Sequence, residues 1–163
     1  MKFKTLLFII TVVGVIALDQ VSKHWIQTDL EWRRSVTVID GVFDLTHVRN
    51  TGVAFGLFSG SPNPMRTLAF AGISLIAMVV ILLFFRKLGP EKRLWAVGLG
   101  LVFGGAWGNL IDRIRWGYVV DFLDFYWKGW HWPAFNIADA SVTMGSILLL
   151  ILILSEKAAP HAS

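Results

Sequence analysis

The stretch AFNIADASVTMGSILLLILIL, Ala134 to Leu154, has the length and apolarity of a helix in lipid. Yet Asp139 stands one turn inside its start. About 20 apolar residues cross a bilayer. A carboxylate at membrane depth costs on the order of 3 kcal/mol on insertion scales, so it has a partner or a task. Three further stretches meet the same length requirement: Phe3–Trp25, Met65–Phe85 and Leu94–Ile111. The expected spans are 4–24, 66–86, 94–112 and 136–155. The first could instead be a cleaved signal peptide, with Lys2 and Lys4, an apolar core and Val15-Ile16-Ala17 as a small-residue site. That reading leaves three spans and discards a charged pair described below, so four spans are adopted.

Composition agrees. The 163 residues are 55% hydrophobic and only 16% charged, where a soluble domain carries about 25% charged residues. Mean hydropathy is +0.63. There is no cysteine, which excludes disulfides, thiolate catalysis and Cys-based zinc sites. The histidines show no metal-ligand spacing, and His161 sits in the polar tail. The basic residues form no patch with base-stacking aromatics, so no nucleic-acid partner is expected.

Short loops rich in Lys and Arg stay in the cytoplasm. The link RKLGPEKR, 86–93, has Arg86, Lys87, Lys92 and Arg93 against one acid, and Lys2 and Lys4 precede the first span. Both termini are therefore expected on the cytoplasmic side. The longer connections, near 26–65 and 112–135, then lie outside with most of the tryptophans. The first contains SVTVIDGVFDLTHV, 35–48, whose Asp40-Gly41 between β-branched runs is a hairpin signal. The second contains YWKGWHWPAF, 126–135, which reads as an interfacial segment or as a loop packing its aromatics on protein. The fold expected is a membrane all-α fold with a small β component. It has four transmembrane helices, a small extracytoplasmic antiparallel sheet between helices 1 and 2, and an interfacial segment between helices 3 and 4. With no repeat or linker, residues 1–163 form one domain. Gly100, Gly104 and Gly108, four apart in span three, give one helix face that a neighbour can approach closely.

The polar residues gather at the outer ends of the spans: Asp19 with Lys23, Asn50 with Gly52, Asn109 with Asp112 and Arg113, Asp121 and Asp124, and Asn136 with Asp139. The midplane carries no charge, which argues against a channel or carrier and for chemistry at one membrane face. Plain structural readings exist for several. Asp19 and Lys23 are an i,i+4 pair, Asn136 is a helix N-cap, and Arg113 can anchor to lipid phosphate. Asp121, flanked by Val119, Val120, Phe122 and Leu123, is either paired or raised in pKa. Two carboxylates sharing one proton supply a base toward water and an acid toward a carbonyl, which is the requirement of aspartyl peptide hydrolysis. Asp112, Asp121, Asp124 and Asp139 all compete for that pair, and spacing does not choose among them.

Five blocks, LDQVSK (18–23), RNTGVAF (49–55), GNLIDR (108–113), VVDFLDF (119–125) and FNIADA (135–140), resemble in order and spacing the lipoprotein signal peptidases (signal peptidase II). These are four-span aspartyl endopeptidases of the bacterial cytoplasmic membrane. The resemblance covers nearly the whole chain. It implies a catalytic dyad of Asp121 and Asp139. It implies that Asp19, Lys23, Asn50, Gly52, Asn109, Arg113 and Asn136 bind substrate or support the dyad. It implies no metal and no cofactor. The implied substrate is a diacylglyceryl prolipoprotein, cut just before its lipidated cysteine near the extracytoplasmic face. Membrane lipids and a globomycin-type inhibitor are the other implied partners. The site is complete within one chain, so a monomer is expected. The Gly-x-Gly-Asp motif of other intramembrane aspartyl proteases is missing.

Overall fold

The computed structural model describes residues 3–52 and 63–158. The segment after Gly52, including Val53-Ala54-Phe55 of the second sequence block, lies outside the described residues, as do Lys2 and His161. Among these residues are four long helices, α1 (Phe3–Asp29), α2 (Pro64–Lys87), α3 (Arg93–Trp116) and α4 (Ile137–Ala158), with one pair of strands between α1 and α2 and another between α3 and α4. Each helix is long and apolar enough to cross a membrane. Their outward faces carry large apolar side chains, such as Ile10, Val13, Ile73, Ile76 and Ile151. In water this would be an aggregating surface; in lipid it is the solvent-facing side.

The ends of the helices follow local rules. Asn63 caps α2 by accepting from the backbone N–H of Met65 (3.0 Å) and Arg66 (3.4 Å), with Pro64 at the first helical position, where a missing N–H does no harm. The Lys4 ammonium of α1 donates to the carbonyl oxygens of Phe85 and Leu88, closing the far end of α2. Gly117, at φ +74°, ends α3 in the left-handed conformation that glycine adopts without strain.

Packing is tightest around α3. A Cβ on Gly104 would stand 2.9 Å from the Val15 side chain of α1, and one on Gly100 would stand 3.0 Å from Thr11. The face formed by Gly100, Gly104 and Gly108 is therefore the α1 contact. A second small-residue contact, not anticipated from the sequence, faces α4. A Cβ on Gly105 would come within 2.4 Å of the Ala138 carbonyl oxygen, a backbone atom that cannot swing away. Gly105→Ala should thus force α4 off α3 just where the polar cluster sits, at roughly 1–3 kcal/mol. Gly14→Ala, where no neighbour lies within 4 Å, should cost nothing. Thermal unfolding of the two variants in detergent checks this; equal midpoints would refute the close α3–α4 approach. In contrast, α2 buries only Met78 and Ile81 and leans on the rest through contacts such as the Phe8–Phe85 stack (4.4 Å).

The sheet is larger than the sequence suggested. Strands β1 (Ser35–Ile39) and β2 (Phe43–Asn50) form the expected hairpin, with Gly41 at φ +76° in its turn. Two more strands come from the connection between α3 and α4, β3 (Val119–Trp127) and β4 (Trp130–His131), and the antiparallel order is β1-β2-β3-β4. The aromatic stretch after Asp124 is thus partly a hairpin, turning at Lys128-Gly129. The β2–β3 register is Asp44↔Asp124 and Leu45↔Leu123, then Val48↔Asp121 and Asn50↔Val119. One extra residue in β2 makes a bulge that re-aims the end of the strand, and this brings Asn50 beside Asp121. Ile26 of α1, Val120 and Phe122 are buried together where the sheet meets the helices.

Candidate active site

Asn136 is the junction of the site. It precedes the first residue of α4, and its side-chain oxygen accepts from the Asp139 N–H (2.9 Å), the N-cap bond that orphan helix donors require. Phe135 holds it in place, exchanging backbone bonds with Leu123 (2.9 and 3.1 Å). The Asn136 amide nitrogen lies 2.7 Å from Asp121 Oδ1, and 3.2 Å from both Asn109 Oδ1 and the Val120 carbonyl. An amide has only two N–H donors, so the shortest contact, to Asp121, takes one. Asn50 donates to the other oxygen, Asp121 Oδ2 (2.9 Å). Asn109 donates to Asp139 Oδ1 (2.8 Å). Two carboxylates are thereby held by three asparagines, and one of these, Asn136, bonds the carboxylate of Asp121 and the backbone N–H of Asp139.

Asp121 is 2% exposed. Burial pushes its carboxyl up to about 7 from 3.8, and the charge of Asp139 adds to the rise. Hydrogen bonds from Asn50 and Asn136 and the Lys23 charge oppose it without cancelling it. Such a group carries a proton near neutrality, as an acid toward a carbonyl must.

Lys23 sits behind the pair, 1% exposed. Its ammonium meets three acceptors: Asp19 Oδ2 (2.9 Å), Asp112 Oδ2 (3.0 Å) and Asn109 Oδ1 (3.0 Å). Asp19 and Asp112 each bind a backbone N–H next to one of the paired carboxylates. Asp19 Oδ1 accepts from Ala138 N–H (2.9 Å), and Asp112 Oδ2 accepts from Val120 N–H (3.1 Å). Gln20 donates to Asp112 (3.0 Å) and Asp19 (3.2 Å). It was missed by sequence reasoning, although it lies inside the LDQVSK block. Arg113 donates to the Gly52 carbonyl (3.1 Å), and the Gly52 N–H donates to Asn50 (2.8 Å), which ties the second block to the pair.

All nine residues singled out from the sequence therefore converge. Of the four competing aspartates, Asp112 is engaged by Lys23, Gln20 and Val120, while Asp124 faces His131 (2.9 and 3.0 Å) on the sheet. Asp121, through its carboxylate, and Asp139, through its backbone N–H, are the two of the four that bond Asn136. Four buried or half-buried carboxylates (Asp19, Asp112, Asp121, Asp139) face two cations, Lys23 and Arg113, a balance that itself favours a retained proton.

The sequence pattern of the family described as Signal peptidase (SPase) II matches residues 11–155. The chain belongs to the signal peptidase II family. A lipoprotein signal peptidase of Syntrophus aciditrophicus is 41% identical over 157 residues, 96% of this chain and 98% of that one. One from Geobacter metallireducens is 44% identical over 149 residues, 91% and 90% of the two chains. Two solved structures, both described as bacterial membrane enzymes studied by the in meso method, superpose on the fold. One has a TM-score of 0.86 at 36% identity, covering 96% of this chain and 92% of that chain. The other has 0.79 at 38%, covering 90% and 92%. As a signal peptidase II the chain is a multi-pass membrane peptidase.

Proposed function

We propose that the chain removes the signal peptide from diacylglyceryl prolipoproteins by cutting just before the lipidated cysteine, with Asp121 and Asp139 as its catalytic dyad. Family membership supports the substrate class. The observation that carries the dyad is that Asn136 joins the two residues, bonding the Asp121 carboxylate and capping the Asp139 backbone, while the charge of Asp139 helps to raise the buried Asp121 carboxyl.

In this mechanism the ionised member of the pair takes a proton from water as the water oxygen attacks the scissile carbonyl. The protonated member gives its proton to the carbonyl oxygen. The tetrahedral intermediate collapses as a proton passes to the nitrogen and the C–N bond breaks. The products are a signal peptide with a free carboxylate and a diacylglyceryl-cysteine with a free amine. No metal or cofactor enters. Asn109, Asn136 and Asn50 orient the carboxylates, Lys23 and Asp19 hold the frame, and Arg113 fixes the Gly52 backbone beside the substrate. The reading places the site near the extracytoplasmic face of the bacterial inner membrane, in a monomer of one domain with both termini in the cytoplasm. It makes a globomycin-type inhibitor a competitor for the same cleft.

The test is cleavage of a diacylglyceryl prolipopeptide in micelles, beside the same peptide without its lipid. Only the lipidated peptide should be cut. The log of kcat/KM should fall above about pH 7, approaching tenfold per pH unit, because Asp121 at about 7 then surrenders the proton that the acid step needs. An acid limb should appear where the pair gains its second proton. A rate that stays level from pH 6 to 9 would refute the shared proton.

A further inference from the structure

A cavity of about 430 Å³ opens in the sheet between β2, β3 and β4, within the size range of small-ligand sites, about 300–1,000 Å³. Its polar walls include Thr46, Arg49 and Asn50 of β2, Asp121 and Asp124 of β3 and His131 of β4. Among the described residues, those that line it all belong to strands or to 132–134, and none to a spanning helix. The cavity thus reaches a dyad aspartate from the strands rather than from the spans. Phe125, next in β3, turns to the other face of the sheet and stacks on Phe43 at 4.7 Å.

Resting on the cleavage reading above, the argument is one of direction. A signal peptide is apolar and occupies the membrane. The chain beyond the scissile bond must leave the membrane, and a cavity lined from the strands with Asp121 in its wall lies on that route. We propose that this cavity is the subsite for the first residues after the lipidated cysteine, and that the Asp124–His131 pair selects among them.

His131 Nδ1 lies 3.0 and 2.9 Å from the two Asp124 oxygens. To donate there the ring must carry its proton on Nδ1, which leaves Nε2 to bond elsewhere. A carboxylate has about four lone-pair sites, so Asp124 retains capacity to accept from a substrate. The Arg49 guanidinium is drawn over the rings of Trp32 and Tyr118, 5.0 Å from each centroid. The subsite therefore favours hydrogen-bond donors and cations, and rejects carboxylates that would face the Asp124 carboxylate.

Three diacylglyceryl prolipopeptides test this, identical except for Ser, Lys or Glu immediately after the cysteine. The wild-type protein should cut the Lys peptide roughly tenfold better than the Glu peptide in kcat/KM, a modest partly exposed charge effect. Asp124→Asn, and Asp124→Ser as a second variant, should bring that ratio toward one. A ratio is normalised internally, so a partly misfolded preparation still reports it. A wild-type ratio near one, or a ratio unchanged in both variants, overturns the subsite. If the wild-type protein cuts none of the three, the prolipoprotein reading itself fails, and the subsite with it.

Discussion

Asp139→Asn will lower the rate of prolipopeptide cleavage by at least about 10³-fold and leave the protein folded. General acid–base groups contribute about 10²–10⁴-fold each, and an amide can play neither part. The substitution is gentle on the structure. Asp139 Oδ1 accepts one bond, from Asn109 (2.8 Å), and its backbone N–H bonds Asn136; an asparagine oxygen keeps the first, and the second is untouched. Asp121→Asn should abolish cleavage as fully but with some loss of stability. Both Asp121 oxygens accept from amides, Asn50 and Asn136, and a new NH2 would face one of those donors. Initial rates, read beside thermal unfolding, separate the two effects. Asp40→Asn, in the exposed hairpin turn, serves as the active control. A rate near wild type in either dyad variant, with the fold intact, would remove that residue from the mechanism and return Asp139 to the role of a helix-terminus carboxylate.

Lys23→Met should be the most destabilising single change in the polar cluster. The ammonium is shared by Asp19, Asp112 and Asn109 at 2.9–3.0 Å. Removing it strands two carboxylates that are 0% and 2% exposed. Breaking a buried pair in this way costs about 3–5 kcal/mol, enough to unfold a marginal protein. The triple variant Lys23→Met, Asp19→Asn, Asp112→Asn should recover much of that loss. It strands no charge, and asparagine oxygens can still accept from Ala138 and Val120. Unfolding midpoints in detergent decide the matter. If Lys23→Met alone were as stable as wild type, the ammonium would not be holding the cluster.

The spans were legible because bilayer thickness imposes a length on apolar runs, and the hairpin because Asp40-Gly41 is a turn signal contained in two residues. The site residues were legible as a group, since polar side chains at span ends are conspicuous against so apolar a chain. The pairing within the group was not. Asp121 meets Asn136 across 15 residues and Asn50 across 71, and no local periodicity records such distances; the choice of Asp121 and Asp139 as the proposed dyad came from the family resemblance. Strand β3 was hidden for a related reason. Val119 to Phe125 reads as an apolar setting for a carboxylate, and its partner strand lies beyond two spans. The α4-facing contact at Gly105 escaped because Gly100, Gly104 and Gly108 formed the conspicuous stripe. Only the three-dimensional approach of Ala138 gives Gly105 its meaning.

The cap of α4 also bears on biogenesis. The N-terminal turn of the last helix is completed by Asp19, 119 residues earlier in the chain, and Asn136 supplies both that helix start and a bond to Asp121. A nascent chain still lacking its final span has neither Asn136 in register nor Asp139 at all. On the dyad reading the protease is therefore silent throughout its own insertion. It cannot attack a signal peptide until α4 has entered the bilayer.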